Sequence, residues 1–232
     1  MKIAAISDIH GNIYALMKAL EDIDEQKVDK IICLGDLVGY GPHPNEVIAL
    51  IRRRNIPCIK GNYDASVVDG AFTYIRDNFI NSFALPWAVD EVRISNKYFL
   101  DSLPTQLKYN INGINILFTH GSPVAINDYL FEDGDNTKTI MHNLKEDILV
   151  CAHTHIPSFK KFNDKLFINV GSVGKPKIGK PTPTYSIIEI SDSNEVLVSF
   201  RHLDYEFKKI VKDCTMLKFP SSLIDSYKTG QE

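Results

Sequence analysis

Five short motifs in this 232-residue chain carry side chains able to do chemistry: Asp8-Ile9-His10, Gly35-Asp36, Gly61-Asn62-Tyr63-Asp64, His120-Gly121 and His153-Thr154-His155. Their donors are carboxylates, imidazoles and one amide oxygen, with no thiolate among them. That set suits Mn²⁺ foremost, and Fe, Zn²⁺, Ni²⁺ or Co²⁺, rather than a cysteine-rich structural zinc site. Asp8, His10, Asp36, Asn62, His120, His153 and His155 are too many for one tetrahedral ion. One carboxylate can bridge two cations, and a pair held roughly 3.5–4 Å apart can activate water and neutralise a phosphoryl group during in-line displacement. Taken singly, most of these motifs have ordinary explanations. An Asp-x-His can cap a helix, Gly-Asp marks a turn, and Gly-Asn-Tyr-Asp suits an Asx turn. His153-Thr154-His155 is the most metal-like by itself. Shared position and order, rather than any one motif, point to a single site.

The elements that must position these residues follow from hydrophobic periodicity. Lys2 to Ser7 reads as a strand, Ile13 to Gln26 as an amphipathic helix and Lys30 to Leu34 as a second strand. A helix from Pro44 to Arg54 leads to Ile56 to Lys60, so three strands joined by two crossovers are expected parallel in one sheet. Residues 65–103 form a helical insertion, interrupted at Pro86 and Ser95-Asn96, with Trp87 and several Phe covering the sheet. Leu107 to Ile111, the turn Asn112-Gly113 and Ile114 to Thr119 spell a hairpin with a type I′ turn that begins a second sheet. Strands follow near Ile148 to Ala152, Ser158 to Phe162, Lys165 to Val170, Thr184 to Ile190 and Val196 to Leu203, and two weak helices close the chain. The expected fold is α/β, a four-layer α/β/β/α sandwich of two mixed sheets flanked by helices, in a single domain over 1–232. All five motifs fall at the carboxyl tips of strands, where ligands bind in open α/β sheets.

Composition narrows the partners. Apolar residues make up 44%, charged residues 24% and the formal charge is −3, an ordinary balance for a chain that folds alone. A broad basic surface for long nucleic acid is not expected, since such binding needs clustered Lys and Arg. Arg52-Arg53-Arg54, the one concentrated basic run, complements the negative end of a helix dipole. No stretch has the roughly 18 apolar residues of a membrane span, and the amino terminus lacks a signal-peptide core, so the expected location is the cytoplasm. Cys33, Cys58, Cys151 and Cys214 form no CxxC pair and read as buried structural residues.

On these motifs the chain resembles the calcineurin-like metallophosphoesterase superfamily, whose signature D-x-H, G-D, G-N-H-[DE], H and G-H-x-H is met almost in order between Lys2 and about Val173. Gly35-Asp36-Leu37-Val38-Gly39-Tyr40-Gly41-Pro42 and Asn169-Val170-Gly171-Ser172-Val173-Gly174 resemble its small prokaryotic phosphodiesterase and diadenosine-tetraphosphatase-like branch. The resemblance implies that Asp8, His10, Asp36 and His155 hold one ion and Asp36, Asn62, His120 and His153 the second, with Asp36 as bridge. It implies attack on phosphorus by a hydroxide between the ions, with Asp36, Asn62 and His120 in the catalytic machinery. The substrate would be a small phosphorylated molecule, such as a nucleotide, carrying a phosphodiester, phosphomonoester or nucleoside-polyphosphate bond.

Three departures qualify the resemblance. Tyr63 stands where the family places a His that pairs with the following acidic residue, here Asp64, and protonates the leaving group. A phenol of ordinary pKa near 10 is a poor substitute at neutral pH, so activated esters, diesters or anhydrides are the expected substrates. Gly39-Tyr40 replaces the Asp-Arg of the family's protein phosphatases, which removes an arginine fork for phosphate. Tyr40 either stacks on a base or packs its loop. Ala152 replaces a Gly before His153, with only a local adjustment expected. His43, His142 and His202 read as surface or loop residues, His43 being the one candidate substitute acid. Lys175 and Lys177 read as a solvated pair near the glycine-serine loop. The alternative function is an interaction scaffold with an impaired site and structural metals. Activity is expected to fall towards pH 5, where ligand histidines would protonate.

Overall fold

The computed structural model describes residues 1–231. Along the chain run β1 (Lys2–Ile6), α1 (Ile13–Gln26), β2 (Lys30–Cys33), α2 (Pro44–Arg53), α3 (Asn62–Asp69), α4 (Phe79–Glu91) and α5 (Ile94–Ser102). There follow β3 (Gln106–Ile111), β4 (Ile114–Thr119), α6 (Asp135–Asn143), β5 (Ile148–Cys151), β6 (Ser158–Phe162) and β7 (Lys165–Asn169). The chain ends with β8 (Thr184–Ile190), β9 (Val196–His202), α7 (Phe207–Met216) and α8 (Ser221–Thr229).

The strands form a four-stranded sheet in the order β2-β1-β8-β9 and a five-stranded sheet in the order β3-β4-β5-β7-β6. Each mixes parallel pairs (β1 with β2; β4 with β5; β5 with β7) and antiparallel ones. Alternation along β1 explains the layering. Ile3 and Ala5 join Ile32, Ile116, Phe118, Val150 and Ile168 in the core between the sheets. Ala4 and Ile6 face the other way, packing with Leu16, Ala19 and Ile48 of the helices over the first sheet. Beyond the second sheet Leu117, Leu149 and Phe167 pack against Met141 and Leu144 at α6. A strand buried on both faces must be apolar throughout, as β1 and β5 are. The result is the expected α/β/β/α sandwich.

Three local expectations need correcting. Ile56 to Lys60 is not a full strand. It makes one bridge, Cys33 with Cys58, held by the Cys33 N–H to the Pro57 carbonyl at 2.9 Å and the Ile59 N–H to the Cys33 carbonyl at 3.0 Å. Pro57 has no N–H to extend the ladder, and Lys60 N–H turns to the Pro104 carbonyl. The later strands do not all enter the second sheet, since β8 returns beside β1 in antiparallel register. It can do so because its alternate residues serve two cores, Ile188 between the sheets and Tyr185 with Ile187 beneath the helices.

Pro86 and Ser95-Asn96 do not interrupt helices: Pro86 lies inside α4 and Ser95-Asn96 inside α5, and the breaks fall at residues 70–78 and at Val92-Arg93. Asn78 caps α4, its side chain accepting the Asn81 N–H at 2.9 Å, which fixes that boundary. Trp87 and Phe83 meet Phe219 edge to face at 4.8 and 5.0 Å. The hairpin turn is as expected, with Asn112 and Gly113 both at positive φ (52° and 90°). All four cysteines are buried and unpaired. Arg52 and Arg53 occupy the last turn of α2.

Candidate metal centre

The loops after β1 and β2 in one sheet, and after β4 and β5 in the other, meet at one seam. Asp8 N–H bonds to the Gly35 carbonyl at 3.1 Å, His10 N–H to the Asp36 carbonyl at 2.9 Å and Ala152 N–H to the His120 carbonyl at 2.9 Å. The His153 N–H crosses between sheets to Asp8 Oδ2 at 3.2 Å. Asn62 arrives separately, as the first residue of α3. The tips are kinked in a rarely occupied conformation: Asp8, His10, Asp36, His153 and His155 have φ of 50°, 47°, 53°, 67° and 62°. Left-handed backbone at non-glycine residues costs on the order of 1–3 kcal/mol each, and such strain clusters at functional sites. Gly61 is required for a different reason, because a Cβ there would lie 2.1 Å from Asp36 Oδ1.

The histidines are aimed. Nδ1 of His10, His120 and His155 lies 2.9, 2.7 and 2.5 Å from the carbonyls of Val38, Leu34 and Lys175. An Nδ1–H donated there fixes the ring and turns Nε2 inward, as for metal-ligating histidines generally. Asp8 Oδ1 is ringed by the Nε2 atoms of His155 at 3.3 Å, His10 at 3.6 Å and His120 at 3.9 Å. Asp36 Oδ2 lies 3.5 Å from Nε2 of both His10 and His120. The ligand-type atoms group as two buried triads, Asp8/His10/His155 and Asp36/His120/His153, and Asn62 Oδ1 sits 2.9 Å from His120 Nε2. Five buried side-chain atoms among the described residues have no hydrogen-bond partner, and two of them, Asp8 Oδ1 and His153 Nε2, belong to these triads. An unsatisfied buried polar atom costs about 1–3 kcal/mol, and a cation would satisfy both, so the donor set fits a dinuclear site.

Protonation is shaped by the same packing. Burial disfavours the carboxylates of Asp8 and Asp36, yet the surrounding imidazoles, His155 for Asp8 and His120 for Asp36, hold both below the usual range. His120 is also buried, but the charge of Asp36 beside it raises it to about 10. Acceptors at both its nitrogens agree with an imidazolium. Burial pushes His153 down to about 3 and, in spite of Asp8, His155 down to about 4. These two are therefore already neutral at pH 5. The packing alone thus favours the neutral form of His153 and His155, the form that can coordinate a cation.

A cleft of about 250 Å³ opens over the site. It is lined by His10, Asp36, Asn62, His153 and His155, and also by Tyr74, Arg76, Asn81, Asn127 and Tyr129. These last five were not found from the sequence. Tyr74, Arg76 and Asn81 come from the break before α4 and its first turns, away from any strand tip, where no local pattern marks them. Lys177 lines the cleft, whereas Lys175 is not solvated: it is 2% exposed, with Nζ 4.7 Å from the centroid of the Tyr40 ring.

Residues 1–193 match the calcineurin-like phosphoesterase superfamily domain. The chain belongs to that superfamily. It is 33% identical to the uncharacterized protein MJ0912 of Methanocaldococcus jannaschii over 95% of each chain, and 25% identical to the phosphodiesterase YfcE of Escherichia coli over 85% of this chain and 90% of that one. The crystal structure of a metallophosphoesterase from Sphaerobacter thermophilus superposes over 99% of both chains with a TM-score of 0.83 at 26% identity.

Within this phosphoesterase fold, the residues that depart from the family signature have taken structural work. Tyr63 Oη donates to Asn81 Oδ1 at 2.7 Å, and Tyr40 Oη donates to the same oxygen at 2.9 Å. Burial raises the Tyr63 phenol well above its ordinary value, so it keeps its proton. Tyr40 packs its loop, edge-on to His10 at 4.7 Å. Asp64 is consumed by backbone: its oxygens accept the N–H groups of Asp36, Leu37, Val38 and Gly61 at 2.8–3.3 Å. Burial, and then the charge of Asp36, raise it to about 6, leaving it ionised at neutral pH. His43, the candidate substitute acid, does not line the cleft; its Nε2 lies 2.9 Å from Asp213 Oδ2 and its ring stands edge-on to Tyr14. His142 and His202 are exposed. No helix among the described residues is long and apolar enough to cross a membrane.

Proposed function

We propose that this protein is a binuclear metal-dependent phosphoesterase acting on small phosphorylated molecules, with activated esters, diesters or anhydrides preferred over unactivated monoesters. The observation that carries the reading is the pair of buried triads in which Asp8 Oδ1 and His153 Nε2 lack any hydrogen-bond partner. Asp8, His10 and His155 would hold one cation, and His120, His153 and Asn62 the other. Asp36 would contact both. Two cations there, Mn²⁺ foremost, would supply Lewis-acid charge for the phosphoryl oxygens and would lower the pKa of water.

The chain's own residues do the rest. Carbonyls behind His10, His120 and His155 fix the ring orientations, and Asp64 clamps the loop that presents Asp36. His10, Asp36, Asn62, His153 and His155 all line the cleft, where a phosphoryl group would reach them. No residue at position 63 stands ready to give a proton, because the Tyr63 hydroxyl is committed to Asn81. Since general acid catalysis is worth about 10²–10⁴-fold, the leaving group must depart largely on its own stability. Phosphodiesterase activity is named for the relative YfcE, which agrees with this preference.

The test is hydrolysis of a nitrophenyl monoester and diester by chelator-treated protein resupplied with Mn²⁺, Ni²⁺, Co²⁺, Zn²⁺ or Mg²⁺. Restoration by a transition metal supports the reading. Bound metal with no cleavage of either ester would favour a scaffold with structural metals instead.

A further inference from the structure

The geometry points to Arg76 as a substrate-binding residue that grips a second phosphoryl group lying outside the metal pair, and so to phosphoanhydrides as the preferred substrate class. This rests on the phosphoesterase reading above and deepens it.

Arg76 lines the cleft together with the candidate metal ligands. Its guanidinium carbon lies 5.1 Å from the centroid of the Tyr129 ring, and that ring in turn lies 4.2 Å from the ring of His153. One aromatic ring therefore separates the cation from a candidate ligand. Among the described residues Arg76 makes no ion pair, unlike Arg54 and Arg201, which bind Asp24 and Asp22. A guanidinium fork aimed at a cleft and left without a carboxylate is suited to the non-bridging oxygens of a phosphate.

The position of Arg76 is built rather than incidental. Asn81 Nδ2 donates to the Arg76 carbonyl at 2.7 Å, while Asn81 Oδ1 accepts both tyrosine hydroxyls, Tyr63 at 2.7 Å and Tyr40 at 2.9 Å. Tyr63 and Tyr40 occupy the positions at which the chain departs from the family signature. Both now anchor, through one amide, the segment that carries Arg76 over the site. At position 63 the hydroxyl is thus committed to holding Asn81. In the proposed site two divalent ions would face the charge of the reacting phosphoryl group, so a further cation on the cleft wall suits charge on a neighbouring one. A phosphoanhydride meets that demand and also brings a leaving group that needs no proton.

The experiment is calorimetric titration of Mn²⁺-loaded wild type, Arg76→Ala and Arg76→Lys with inorganic pyrophosphate and with orthophosphate, metal content being measured before and after. A charge-assisted contact of about 1.5–3 kcal/mol corresponds to roughly ten- to hundredfold tighter pyrophosphate binding in wild type. Arg76→Ala should reduce that preference at least tenfold with two metals still bound, and Arg76→Lys should recover part of it. Wild type without the preference, or Arg76→Ala retaining it, overturns the proposal. In turnover, Arg76→Ala should lose at least tenfold more in kcat/KM on ATP than on a bis-nitrophenyl ester, and equal losses would also overturn it. If wild type cleaves no ester or anhydride, the phosphoesterase reading fails while the titration still decides the role of Arg76.

Discussion

The two walls of the cleft are held in opposite ways. On the strand-tip side, Asp8, His10, Asp36, His153 and His155 sit in left-handed backbone, and all but one of the ligand histidines have Nδ1 fixed by a backbone carbonyl. On the helical side, Tyr74, Arg76 and Asn81 are placed by side-chain hydrogen bonds and ring contacts at the edge of α4, and Arg76 is exposed. The first wall gathers carboxylates and imidazoles at a cost in backbone strain and desolvation, and a cation would offset the desolvation. The second carries no such strain at Tyr74, Arg76 or Asn81, and it joins the first where Asn62 Nδ2 donates to the Tyr74 carbonyl at 3.2 Å. On the proposed reading, this difference would separate the chemistry, held by the sheets, from the choice of substrate, held by a loop between helices.

The sharpest way to break this division is Asp36→Asn. Asp36 faces His10 and His120 and also accepts the Tyr63 N–H at 2.8 Å. Loss of its charge should lower bound metal to below two per chain and cut hydrolysis by at least about 10³-fold, the scale of removing a principal electrostatic contributor. Elemental analysis beside turnover checks this, and retained stoichiometry with full activity would refute the shared role of Asp36.

Next in size is the effect of the metal on stability. If the strand-tip wall is strained without cations, Mn²⁺ at about 100 times its Kd should stabilise the fold by roughly 2.7 kcal/mol. For a chain of this size that is a rise in Tm of about 5–10 °C. A Tm indifferent to Mn²⁺ would mean that the wall is satisfied without it.

The pH dependence sharpens the comparison further. His120, raised to about 10, lends the metal-free protein stability that is present below its ordinary pKa of about 6.5 and is lost as pH climbs towards 10. His153 and His155, held down at about 3 and 4, act in the other direction. Their unfolded forms take up protons first, so stability falls as pH drops from about 6.5 towards 4. Metal uptake at pH 8 should then release about one proton per chain, from His120. Calorimetry in buffers of different ionisation enthalpy measures it. Release of three or more protons would contradict the neutral state of His153 and His155.

The smallest expected effect is Tyr63→Phe. It removes one hydrogen bond, worth about 0.5–1.5 kcal/mol, and Tyr40 still holds Asn81. The alkaline limb of the kcat profile should not move, whereas a proton donor at this position would shift it. Tyr63→His, by contrast, should raise turnover of poor leaving groups more than of nitrophenyl esters.

The same division explains what could be read from the sequence. Asp8-Ile9-His10 and His153-Thr154-His155 were legible because each ends an apolar run, and strand ends of an α/β fold face one site. The layers followed from the two-sided burial of β1 and β5. Arg76 was not legible: its place on the cleft depends on Asn81 and Tyr129, which are distant in sequence or lie across a helix boundary. The return of β8 to the first sheet was hidden for the same reason, since partner choice between two apolar sheets depends on packing that no local period encodes. Lys175 also escaped, because a lysine in a loop gives no sign that it will be buried against Tyr40.

The central claim, that two cations act together at this seam, is tested most directly by titrating metal-free protein with Mn²⁺ while following both binding and diester hydrolysis. The account predicts that activity appears with the second equivalent and saturates at two. Full activity at one equivalent, or two bound ions with none, would contradict it.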